Sequence, residues 1–170
     1  MFHTTMDNAW AERSIKPLYA KTQATAQDWT LAATDIAAGT LRPGNIVTAT
    51  ADSNGEPVVT ACNATAKPLG FIATFVGGIS DEVVIGEGTK TSVWVLDPDA
   101  LFFVSKDVCD NEGLATAAIG DLLGSNANAK LTKLTGNTID PSLAVAKLNK
   151  KTDMGYVIAG LSPQDVVVSA

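Results

Sequence analysis

His3 is the only histidine in this 170-residue chain, so no Ser-His-Asp triad, Cys-His pair or multi-histidine metal site can be assembled within one copy. Carboxylates, lysines and thiols are left to do any chemistry. Asp97 and Asp99 flank Pro98, and two carboxylates on one face of a strand are the minimal acid/base pair. Pro98 interrupts that strand, however, and Asp-Pro-Asp commonly ends a strand at an exposed corner, which is the reading adopted. The run Gly86-Glu87-Gly88-Thr89-Lys90-Thr91 has the glycines and lysine of a phosphate loop. A true phosphate loop places Gly directly before Lys and a helix after it, whereas here Thr89 precedes Lys90 and a strand pattern follows, so the run reads as a hairpin turn. Asp107, Asp110, Asn111 and Glu112 offer oxygen ligands for Ca2+, at a spacing that misses the EF-hand loop. Neither Cys62 nor Cys109 lies in a CxxC, and two cysteines define no disulfide framework, so both are expected to be reduced and packed. Asn63-Ala64-Thr65 fits the glycosylation sequon, which matters only in a secretory pathway. The expectation is a protein that is not an enzyme, with no catalytic residues, no metal and no cofactor.

The elements that carry these residues read as β. Residues 91–106 are the densest apolar stretch: Trp94, Leu96, Leu101 and Phe103 are large and apolar in an alternating frame, with Val93, Val95 and Val104 between them. Two short strands either side of the Asp97-Pro98-Asp99 break are predicted, with Trp94, Leu96, Leu101 and Phe103 as core. Residues 41–84 form a second strand-rich block that must pack against the first, because neither buries its apolar residues alone. Within it, Leu41-Arg42-Pro43-Gly44 is a turn signal, residues 45–50 and 56–62 are predicted strands, and Asp52-Ser53-Asn54-Gly55 is the strongest hairpin turn in the chain. The pattern is read as β from Leu31 onward, with further strands at residues 71–76, 82–85, 156–159 and 166–169. Residues 114–123 read as a short helix or an irregular crossing, and residues 142–148, after Asp140-Pro141, as the start of a capped helical turn. Strands about ten residues apart with Gly or Pro between them predict a mainly β protein: a small antiparallel β-sandwich or barrel with little helix.

Composition bounds the partners. The net charge of −6 opposes nucleic acid and anionic membranes, and neither is expected as a partner. Residues 1–10 lack the basic start and apolar core of a signal peptide, and the longest mainly apolar run, residues 69–79, is broken by Gly77 and Gly78 and is too short for a span, so a soluble protein made in the cytoplasm is expected. Residues 1–29 differ from the rest: isolated anchors at Trp10, Pro17, Tyr19 and Trp29 stand in a polar segment without a clean period. This arm is either a passive tail or a segment that orders on a partner through Trp10, Pro17 and Tyr19; residues 30–170 form the β domain. Lys130, Lys133, Lys147, Lys150 and Lys151, set against the single acid Asp140 within residues 128–152, read as a solvated face in preference to a site for an acidic partner. The wealth of Ala, Gly and Val, with few large residues, suits close subunit contacts and predicts a homo-oligomer.

Leu41-Arg42-Pro43-Gly44-Asn45-Ile46-Val47, then Pro68-Leu69-Gly70-Phe71-Ile72, then Leu96-Asp97-Pro98-Asp99-Ala100-Leu101-Phe102 and a tract over residues 120–136 resemble, in order and character, the head decoration (cement) proteins of tailed bacteriophages. The resemblance spans residues 31–170. It implies a small β domain, usually trimeric, on the outer capsid surface of the virion, where it clamps subunits of the major capsid protein and stabilises the head. A carbohydrate-binding β-sandwich module, of the kind found in virion or cell-surface adhesins, is the alternative, with Trp10, Trp29 and Trp94 as stacking platforms.

Overall fold

The computed structural model describes residues 15–17, 24–73, 90–136 and 139–165. Among these residues the chain runs β1 (Ile15–Pro17), β2 (Ala24–Thr30), α1 (Ala33–Ala38), β3 (Ile46–Ala51), β4 (Pro57–Ala61), β5 (Gly70–Ile72), β6 (Lys90–Leu96), β7 (Leu101–Ser105), α2 (Asn111–Ala115), β8 (Leu122–Ser125), β9 (Leu131–Lys133), a 3-10 turn (Pro141–Leu143), β10 (Ala144–Lys151) and β11 (Gly155–Gly160). The strands form two antiparallel sheets, ordered β1-β7-β11-β10-β8-β9 and β2-β6-β5-β3-β4. The fold is the mainly β sandwich that the turn spacing predicts; of the two forms expected, the sheets take the open one and do not close into a barrel.

Side-chain alternation explains how the five-stranded sheet serves two cores. Ile46, Phe71, Trp94 and Leu96 point from it toward the six-stranded sheet, meeting Ile15, Phe102, Val104, Leu123, Leu148 and Ile158. Their neighbours Val47, Ile72, Val93 and Val95 point the other way, onto Leu31, Leu41, Val59 and Ile36. The second core is sealed where the sheet's two edges approach each other: Leu31 bridges Val59, and the Ala32 amide donates to the Val59 carbonyl at 2.9 Å. Asp35 completes the cover of the β4 edge, its carboxylate accepting from the Thr60 hydroxyl at 2.5 Å and the Ala61 amide at 3.2 Å. An edge occupied in this way is closed to pairing with another chain.

The Asp97-Pro98-Asp99 break is a corner between the sheets. The Ala100 amide donates to the Asp97 carbonyl at 3.1 Å, Asp99 takes φ 60°, and the Asp99 amide and Gly160 carbonyl join at 3.0 Å. Glycine is required at 160, because a Cβ there would lie 1.9 Å from the Asp97 carbonyl oxygen. Asp52-Ser53-Asn54-Gly55 forms the expected hairpin, with Gly55 at φ 82° and the Asp52 carboxylate accepting from the Asn54 and Glu56 amides.

Several local expectations change. Residues 33–38, read as β, are helical: six residues are too few to display a 3.6-residue period, and the usable signal was Gly39, which ends the helix at φ 61°. The division at residue 29 passes through β2, which pairs along its whole length with β6, from Ala24 opposite Leu96 to Thr30 opposite Lys90. β10 (Ala144–Lys151) is a long strand where only a helical turn was anticipated; the turn is Pro141–Leu143, capped by Asp140. In the expected core set, Phe103 is buried, while Trp94, Leu96 and Leu101 are half-buried; the fully buried apolar positions of these strands are Val93, Phe102 and Val104. The strands predicted at residues 82–85 and 166–169 lie outside the described residues.

Candidate functional site

Most side chains singled out for chemistry are occupied by the fold. Asp110 caps α2 through the Gly113 amide and accepts from the Thr132 hydroxyl at 2.8 Å. Those bonds, the Thr132 hydroxyl foremost, hold its carboxyl below the ordinary range. Among the described residues no three His, Cys, Asp or Glu side chains gather where they could hold a metal ion. Cys62 and Cys109 are free and buried. Burial first, then the Asp110 carboxylate, pushes the Cys109 thiol up to about 12, so it is not a nucleophile at neutral pH.

The lysine-rich stretch divides. Lys147 pairs with Asp165 at 2.8 Å and lies 3.6 Å from Asp99. Lys133 pairs with Asp121 at 2.8 Å, and the Lys151 ammonium donates to the Ala115 carbonyl at 2.7 Å. Lys150 is exposed.

Of the arm residues expected to anchor on a partner, Trp10 and Tyr19 lie outside the described residues, and Pro17 ends β1 opposite Phe102. Ile15, two residues earlier, is buried in the core between the sheets. The N-terminal segment is therefore stitched into both sheets, through β1 and β2. Of the tryptophans, Trp94 packs edge-on against Phe102, ring centroids 5.7 Å apart, and Trp29 donates to Gln27 at 3.2 Å.

A cleft of about 730 Å³ lies between the turn over residues 41–45 and the loop over residues 126–130, with Asp107 and Val108 alongside. Both walls are fixed by hydrogen bonds. The Arg42 amide donates to the Asn45 carboxamide oxygen at 2.7 Å, the Gly44 amide to the Ile72 carbonyl at 2.8 Å and the Ile46 amide to the Ala129 carbonyl at 2.7 Å. Across the cleft, the Asn126 carboxamide accepts from the Asn128 and Lys130 amides. Arg42 and Lys130 both line the space, and Nη1 of Arg42 is buried without a hydrogen-bond partner among the described residues. The sequence marked residues 41–44 as a turn and as part of the family resemblance, not as a binding site. The available signal was that Arg42 is one of just two arginines in the chain.

Several carboxylates and lysines of the sandwich thus serve its own turns and sheet edges. The family model for phage cement proteins matches residues 1–167, and the chain belongs to that family. Membership makes it a bacteriophage structural protein associated with the capsid, and the match takes in residues 1–29 along with the β domain. No curated protein matches the sequence.

Proposed function

We propose that this protein decorates the outer surface of the major capsid protein lattice as a homotrimer and stabilises the assembled head by binding, without catalysing a reaction. The family match along nearly the whole chain carries the reading. A protein that binds the assembled shell and not its dissociated subunits stabilises the shell by mass action, and repeated contacts around a symmetry axis add through multivalency. The fold suits this role: two sheets clamped at the Asp97–Gly160 corner and stitched by β1 and β2 present a rigid body that loses little conformational entropy on docking. A glycan-binding function has less support, since Trp94 is engaged with Phe102 and Trp29 is half-buried.

Cosedimentation with heads lacking the protein tests the proposal. Saturable binding to intact heads, absent for unassembled capsid subunits, is the expected result; equal binding to both, or to neither, contradicts it.

A further inference from the structure

Among the described residues Arg42 is an unpaired cation, in a protein with acids to spare: 18 Asp and Glu stand against 12 Lys and Arg. The fold commits Lys133 to Asp121 and Lys147 to Asp165, yet neither Arg42 nor Lys130 has an ion-pair partner among the described residues, and Arg42 Nη1 is buried with its donors unused. Arg42 is half-buried and a guanidinium cannot shed its charge, so a buried Nη1 without an acceptor is an incomplete contact. We propose that the cleft is a carboxylate-binding socket, in which Arg42, with Lys130 beside it, receives an acidic side chain of the shell subunit. The source of the carboxylate rests on the function proposed above; the socket itself does not.

The charges select the ligand. Arg42 and Lys130 contribute two positive charges and Asp107, which lines the same cleft and has contacts of its own, one negative. A net single positive charge matches one carboxylate better than a phosphate dianion, and the overall charge of −6 disfavours a polyanion such as nucleic acid. The planar guanidinium fork fits a carboxylate in bidentate geometry. The hydrogen bonds that fix both cleft walls leave little to reorganise on binding.

Two measurements test the two parts. Arg13 and Arg42 are the only arginines, so the Nε–Hε resonances of the full chain can be followed while acetate replaces chloride at constant ionic strength. The Arg42 resonance is expected to shift saturably with acetate, less so in Lys130→Gln. Absence of an acetate-specific shift overturns the socket, whether or not the protein decorates heads. For the partner, Arg42→Gln should retain the wild-type melting temperature, because the guanidinium has no partner among the described residues, but bind heads about 30-fold more weakly, with Arg42→Lys in between. Unchanged binding by Arg42→Gln overturns the assignment to the shell subunit, and so does a loss of self-association at unchanged head affinity, which would identify a second copy as the donor. Failure of the wild type to bind heads would refute the proposed function and leave the acetate result standing.

Discussion

Trp94 and Cys109 show how burial fixes what a side chain does. The Trp94 indole fills the space between the sheets against Phe102 but keeps part of its surface outside the core. Trp94→Ala should therefore destabilise the protein toward the lower end of about 3–5 kcal/mol, and Phe71→Ala, at a position with no exposure, toward the upper end; chemical denaturation of the two variants gives the order. Asp97 and Asp99 could be read as a turn from the sequence because proline between them rules out a continuous strand, and the corner has that form. Arg42 was not legible in the same way. Its importance lies in the absence of a partner among the described residues, which depends on distant parts of the chain such as Asp107 and Lys130 and leaves no local pattern. Cys109 is buried with its thiol raised to about 12, so native protein at neutral pH should not react with Ellman's reagent, while denatured protein should titrate both thiols. Fast reaction of one thiol in the native state would contradict the assigned packing.

At the scale of elements, the legible parts were those whose signal is local: the Asp52–Gly55 hairpin, the strands around it and the broken pair β6 and β7. β2 was hidden because its pairing with β6 is about sixty-six residues distant in sequence, and its own residues, Ala-Thr-Ala-Gln-Asp-Trp-Thr, alternate too weakly to announce a strand. That pairing changes what a truncation measures. Deleting residues 1–27 removes β1, with buried Ile15, and more than half of β2, so it should cost about 3 kcal/mol or more and lower the melting temperature of the free protein by roughly 6–12 °C. Differential scanning calorimetry decides this; an unchanged melting temperature would mean that the strand pairings contribute nothing. Trp10→Ala combined with Tyr19→Ala is the variant that probes partner contacts without cutting either strand.

The Lys147–Asp165 pair sets a pH window for the segment after β11. The Lys147 ammonium and the Ser162 amide hold the Asp165 carboxyl down at about 2, and Asp165 in turn raises Lys147. A depressed carboxyl contributes stability that is present above its unfolded value near 4 and is lost as pH falls toward about 2; a raised lysine contributes stability below 10.5 that is lost as pH rises through its higher folded value. Asp165→Asn should therefore be less stable than wild type at pH 7, by up to about 1 kcal/mol for a pair still in contact with solvent. The two proteins should converge near pH 2. A constant difference from pH 7 to pH 2 would exclude the ion pair as its cause.

For the whole molecule, the β-sandwich class followed from turn spacing, and the open form from sheets that meet at corners and edges without a continuous ladder. Membership of the phage cement family associates this body with the capsid, and in the function proposed above binding linkage is the means by which it stabilises the head. Calorimetry of protein-free heads titrated with the purified protein measures that linkage. The head transition should rise with the logarithm of free protein concentration once sites begin to fill, following RT ln(1 + [L]/Kd) per site. A head transition that stays fixed while cosedimentation shows full occupancy would contradict a stabilising role and leave only a passive surface protein.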